Sequence, residues 1–217
     1  GFSMNSFKIF APYVLPFAVF ALLTLLAPWL GEYREFAYPL KTVLTAGLLI
    51  YLLPYVYKSE IRLSLDWLAI ISGIFVFVIW VAMEGWYSQL GSSSAFNAYE
   101  LSNNLTPQTL IAFRLAGTAL IVPIVEELFW RSFALRFLIN SEFARVPLGT
   151  FTWFSFIAVS VAFGFEHHRW LPGIIAGMVY ALLFYKRKNL FSPILSHLVT
   201  NLALGIYVIY TDSWAFW

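Results

Sequence analysis

The chain has 217 residues, 61% of them hydrophobic and only 11% charged, with a formal net charge of +2. Soluble domains carry about 25% charged residues, so this apolar excess needs lipid to cover it, and the charge balance offers no basic patch for nucleic acid. Cysteine is absent, which excludes disulfides, thiolate nucleophiles and Cys-ligated zinc.

Gly1–Ser3 precede Met4 and read as a cloning remnant, set aside from the fold. Seven apolar segments follow, at roughly 10–30, 39–57, 67–83, 109–138, 151–165, 171–185 and 189–211. The first lacks a small-residue cleavage site and reads as a retained span. The first three have the ~20 residues that a lipid-facing helix needs. The fourth, at ~45 Å as a helix, exceeds the ~30 Å hydrocarbon core, so it must tilt or project. The fifth and sixth are short and are joined by Glu166-His167-His168-Arg169-Trp170, a hairpin expected to keep its tip within the membrane. Trp and Tyr gather at the ends of the runs, where interfacial belts form. The segment 84–108 is the one substantial loop, and no repeat or linker divides residues 4–217. The expectation is all-α: a single-domain, polytopic transmembrane helical bundle of about seven spans.

Loop charge gives the orientation. Lys58 and Arg62, Arg145, and Lys186-Arg187-Lys188 mark three positive connections, whereas 84–108 has no Lys or Arg. These alternate along the chain and place the N-terminus in the cytoplasm, with Arg34 and Lys41 weakening the pattern.

Of the 11 acidic residues, nine fall in loops, near span ends or near the C-terminus. Only Glu126 and Glu127 lie deep in an apolar segment, where a carboxylate persists only with a partner or a role. Glu127 can tie to Arg131 at i,i+4. Glu126 points about 100° away around the helix and has no such partner. The three His, at 167, 168 and 197, all follow the Glu pair. His197 and Asn201 share one face, four residues apart, and His168 reads as a structural residue at the interface. Taken from the cytoplasmic ends of their segments, Glu126 lies ~18 Å deep, His197 ~12 Å and His167 ~22–30 Å, so Glu126 and His197 can meet. His167 joins them if its hairpin stops short of the outer face.

A carboxylate beside imidazoles can act as a general base on water, and His and Asn can donate to a developing oxyanion. Aspartyl catalysis has only Asp66 and Asp212, both near span ends. Ser155, Ser160 and Ser196 occupy no Gly-x-Ser-x-Gly turn. Three alternatives stay open. Glu126, His167 and His197 can also be read as zinc ligands with an open position. The buried Glu and His can also be read as the relay of a transporter, although no inverted repeat supports it. The third alternative is a non-catalytic membrane chaperone or immunity factor.

Glu126-Glu127-Leu-Phe-Trp-Arg131 resembles the EExxxR signature of the CAAX protease and bacteriocin-processing (CPBP, Abi) family. Phe163-Gly-Phe-Glu-His167 resembles its FxxxH motif, and His197-Leu-Val-Thr-Asn201 its HxxxN motif. The three stand in order over roughly 109–211, and the wording around 163–177 is similar to a bacterial subgroup linked to exosortase and PEP-CTERM systems. The resemblance implies an intramembrane glutamic endopeptidase without a cofactor. Glu126 and His167 would activate water, His197 and Asn201 would form the oxyanion site, and Glu127 and Arg131 would support them. Its partners would be a membrane protein or peptide substrate and the lipid bilayer, with the bacterial inner membrane as its place. The best-known members have eight spans and the eukaryotic ones cleave prenylated proteins. Bacteria generally lack such substrates.

Overall fold

The computed structural model describes residues 4–91 and 95–217, so Gly1–Ser3 and the 92–94 stretch of the expected loop lie outside the described residues. Among those described, all regular structure is helical. Seven principal helices follow the expected segments: α1 (Met4–Leu26), α2 (Ala37–Leu52), α3 (Trp67–Ala82), α4 (Pro107–Phe137), α5 (Trp153–Phe165), α6 (Trp170–Arg187) and α7 (Phe191–Thr211). Short helices at Tyr57–Glu60 and Ala98–Leu101 interrupt the connections.

Among the described residues, three stretches are long and apolar enough to cross a membrane: Lys8–Tyr55, Pro107–Phe137 and Phe191–Thr211. The first contains both α1 and α2, joined by the 3-10 stretch Ala27–Phe36. The expected segment 10–30 is displaced toward the N-terminus because Pro28 ends regular α-helix and Gly31, at φ 55, bends the chain back. Apolar side chains stay exposed along the outer faces, among them Leu25, Ile50, Ile71, Phe154 and Ile206. Such continuous apolar surface belongs against lipid, and the molecule is a helical membrane bundle.

Small residues set the packing inside, as in membrane interfaces generally. Gly73 of α3 lies so near α7 that an added Cβ would collide with the Ser196 carbonyl and Val199, and Thr200 Oγ1 donates to the Gly73 carbonyl at 2.9 Å. In the α5–α6 hairpin, Gly173 packs on the Gly164 backbone and Gly177 on that of Ser160.

Polar groups tie the connections into two end layers. At one end Glu60, buried, accepts from Tyr13 at 2.7 Å, from Arg136 at 2.8 Å and, very closely, from Ser132. At the same end Asp66 pairs with Arg187 through two 2.9 Å bonds. At the other end Glu35 accepts backbone N–H groups of Asn103, Asn104 and Leu105 at 2.9–3.1 Å, and Arg169 pairs with Glu84. The three positive connections therefore share one end of the bundle, while 84–91 and the hairpin tip share the other. The tip is covered by that loop, since Leu90 N–H donates to the His168 carbonyl at 2.9 Å.

Candidate active site

The site is organised around α4, which widens into two π-helical turns, Gly117–Ile121 and Leu128–Ala134. The first has a readable cause. Val122 N–H bonds back five residues to the Gly117 carbonyl, and the next residue, Pro123, has no N–H to give the Thr118 carbonyl. That stranded acceptor is taken by Asn201 Nδ2 of α7 at 2.8 Å. Such turns commonly mark functional positions, and this one fixes the Asn201 side chain.

One turn further on stand the two glutamates. Glu127 and Arg131 are both fully buried. Arg131 Nε lies 3.1 Å from Glu127 Oε2, its Nη2 donates to the Gly177 carbonyl at 3.1 Å, and its guanidinium carbon lies over the Phe163 ring at 4.3 Å. The other Glu127 oxygen meets His197 Nδ1 at 2.8 Å. The Glu127 carboxylate, paired with Arg131, is the acceptor here, and Nδ1 carries the imidazole proton and donates it. Tyr180 stacks on the His197 ring at 4.8 Å and is itself held by Thr200. His197 Nε2 is thereby aimed at Glu126, 3.7 Å from its Oε2.

Glu126 is 8% exposed, and its Oε2 has no hydrogen-bond partner among the described residues. His167 Nδ1 faces the Phe163 carbonyl at 2.8 Å. A carbonyl only accepts, so Nδ1 carries the proton and Nε2 presents a lone pair. Trp80 meets this ring edge-on at 5.4 Å. His167, His197 and Asn201 line one cavity of about 160 Å³ together with Thr118. Glu126 and His167 line a second of about 330 Å³.

The structure thus brings together the six residues expected from the sequence. Glu127 and Arg131 form the expected tie. His168 stands apart, its Nδ1 on the Leu90 carbonyl at 2.6 Å. The three serines serve local structure or packing: Ser155 hydrogen-bonds Thr152, Ser196 meets Ser72 at 3.1 Å, and Ser160 backs Gly177. Both imidazoles hold Nδ1 in a hydrogen bond and leave Nε2 free, which also suits metal ligation. Among the described residues, however, no three His, Asp or Glu form a group that could hold an ion.

Sequence reasoning missed Glu166. It was grouped with the span-end acids, yet it lines the cavity beside Glu126 and accepts from Trp130 Nε1 at 2.9 Å. Its place directly before His167, and after Phe163, was the available signal. Tyr180 was also missed, because an aromatic residue in an apolar helix looks like any other core residue.

Residues 106–203 match the family model described as type II CAAX prenyl endopeptidase Rce1-like. Searches of the curated proteins and of the solved structures returned no match. The matched segment contains all three motifs and the six site residues expected from the sequence. Residues 106–203 thus resemble a CAAX-protease-family core, and the chain that carries them is an integral membrane protein.

Proposed function

We propose that the chain is an intramembrane glutamic endopeptidase that hydrolyses a peptide bond in a membrane-embedded or lipid-anchored protein. The observation that carries this reading is the buried, unpartnered Oε2 of Glu126, set 3.7 Å from His197 Nε2 and facing a cavity shared with His167. His167 Nε2 accepts a hydrogen bond from a water and orients it. Glu126 takes the proton as the water oxygen adds to the scissile carbonyl carbon. The oxyanion that forms is held by the Asn201 amide, whose position the Thr118 carbonyl sets. His197 Nε2 bears a lone pair at rest. It becomes a second donor when it takes up the proton that Glu126 has received from the water, the imidazolium being stabilised by Glu127 at Nδ1 until that proton returns to Glu126. The proton on Glu126 passes to the amide nitrogen as the C–N bond breaks, giving one acid and one amine. The reaction uses no cofactor.

In this reading the end bearing Lys186–Lys188 faces the cytoplasm of a bacterial inner membrane, as the positive-inside rule requires. The remaining reading of the same residues is a zinc peptidase, favoured only by the two free Nε2 atoms. Chelation decides between them. Peptidase activity of the purified chain that survives exhaustive EDTA or phenanthroline treatment supports the glutamic mechanism. Activity lost to chelator and restored by zinc, with bound zinc missing from His197→Ala, overturns it.

A further inference from the structure

Two cations line the catalytic cavity, Lys41 buried and Arg114 half-buried, with no carboxylate paired to either among the described residues. Lys41 of α2 is 7% exposed. Its Nζ donates to Thr24 Oγ1 at 3.0 Å and sits 4.5 Å from the centroids of the Phe20 and Tyr38 rings. Arg114 of α4 has its guanidinium carbon 4.4 Å from the Tyr38 ring and 4.9 Å from that of Phe96. Its Nε and the Tyr38 hydroxyl are both buried without a hydrogen-bond partner, and among the described residues no carboxylate pairs with either cation. Among the described residues the other buried cations are matched: Arg131 by Glu127, Arg136 by Glu60 and Arg169 by Glu84. Unmatched intramembrane charge is costly and marks a role.

The fold holds the pair deliberately close. Gly117 lets α2 approach α4 so tightly that an added Cβ would stand 2.6 Å from the Tyr38 ring. Lys41 and Arg114 then line the same cavity of about 330 Å³ as Glu126 and His167. Arg114 also lines the smaller cavity with His197 and Asn201. It stands one turn before Thr118, whose carbonyl holds Asn201, and ~18 Å along the helix from Glu126. An extended chain advances ~3.3–3.6 Å per residue. The cations therefore lie about three to five residues from a scissile bond placed at Glu126 and Asn201.

We propose that Arg114 and Lys41 form an anion-binding subsite that takes a carboxylate of the substrate peptide, about three to five residues from the bond that is cut. This deepens the peptidase reading and rests on it for the substrate's placement. The carboxylate is either the end of the substrate chain or an Asp or Glu side chain. A guanidinium and an ammonium are the groups that recognise it by charge-assisted hydrogen bonds.

The test uses the purified full chain in detergent micelles and peptides of one sequence. They end three, four or five residues past the scissile bond, each made as free acid, as carboxamide, and as carboxamide with glutamate in the final position. The expected result is a kcat/KM about 10-fold or more higher for an anionic member than for the plain carboxamide, carried by KM. Arg114→Gln and Lys41→Met should each bring that ratio toward one. The acid and the glutamate arms tell the two sources apart. Binding is read without turnover from the Trp fluorescence of Glu126→Gln protein titrated with acetyl-tetra-alanine, acid against amide, because Trp80 and Trp217 line the cavity. Equal binding of acid and amide, unchanged by Arg114→Gln, overturns the subsite even if peptides are cleaved. Acid-selective binding that needs Arg114, in protein that cleaves no peptide, upholds the subsite and removes the peptidase.

Discussion

Arg131→Ala is expected to damage the fold more than any single change at Glu126. Arg131 is among the largest fully buried side chains, and removing it strands the Glu127 carboxylate beside His197 in a dry interior. Breaking a buried pair by deleting one partner costs ~3–5 kcal/mol. For a chain of this size each kcal/mol moves Tm by ~2–4 °C, so the expected fall is ~6–20 °C. The lost bond to the Gly177 carbonyl and the lost stacking on Phe163 push toward the upper end. The assay is thermal unfolding in detergent, followed by tryptophan fluorescence and by recovery of monodisperse protein. The double change Glu127→Gln, Arg131→Met removes both charges and should recover much of the loss. A single Arg131→Ala protein melting within ~2 °C of wild type would refute the argument that this pair is a buried tie.

Asn201→Ala should lower kcat by about 10²-fold or more with little change in KM, since in the proposed mechanism its amide acts on the transition state; a change confined to KM would reassign it to substrate binding. Asp66 caps α3 and accepts from Arg187 and Ser192. Burial works against its charge, but the Arg187 and Ser192 hydrogen bonds and the Ala69 N–H outweigh it and hold its carboxyl below the usual range. Its contribution to stability is therefore present at neutral pH and is lost as acid titrates it below the ordinary carboxylate range; Asp66→Asn should lower Tm at pH 7 and flatten the acid limb of Tm against pH, and an unchanged limb would refute this. A cysteine at Ser93, in the stretch outside the described residues, should react with an impermeant reagent from outside the cell and one at Arg187 should not; the reverse pattern would invert the orientation.

The apolar segments were legible because lipid imposes a minimum length and Pro, Gly and Asp punctuate it. Trp67–Ala82 follows directly on its Asp66 cap, and Pro107 opens α4. The depth argument correctly let Glu126 and His197 meet. What stayed hidden depends on distant partners. Glu60 looked like a loop acid, yet Tyr13, Ser132 and Arg136 converge on it from far along the chain. The π-helical turns of α4 follow from no apolar period, although Pro123 gave a local clue to the stranded Thr118 carbonyl. The tautomers of His167 and His197 also required the structure, because each is set by a neighbour that the motifs do not name. Glu166 was passed over for a physical reason. Position near a span end suggests a solvated acid, and only the hairpin's packing turns it toward Glu126.

The most direct test of the central claim compares wild type with Glu126→Gln on a library of fluorogenic peptides, lipidated and plain, with the melting temperature of each protein measured alongside. Glutamine keeps the shape of the side chain but cannot take a proton from water at neutral pH. The account predicts that wild type cleaves at least one peptide, and that Glu126→Gln folds with an unchanged melting temperature and retains less than about 1% of that rate. A folded Glu126→Gln protein that cleaves at a rate close to wild type would contradict it.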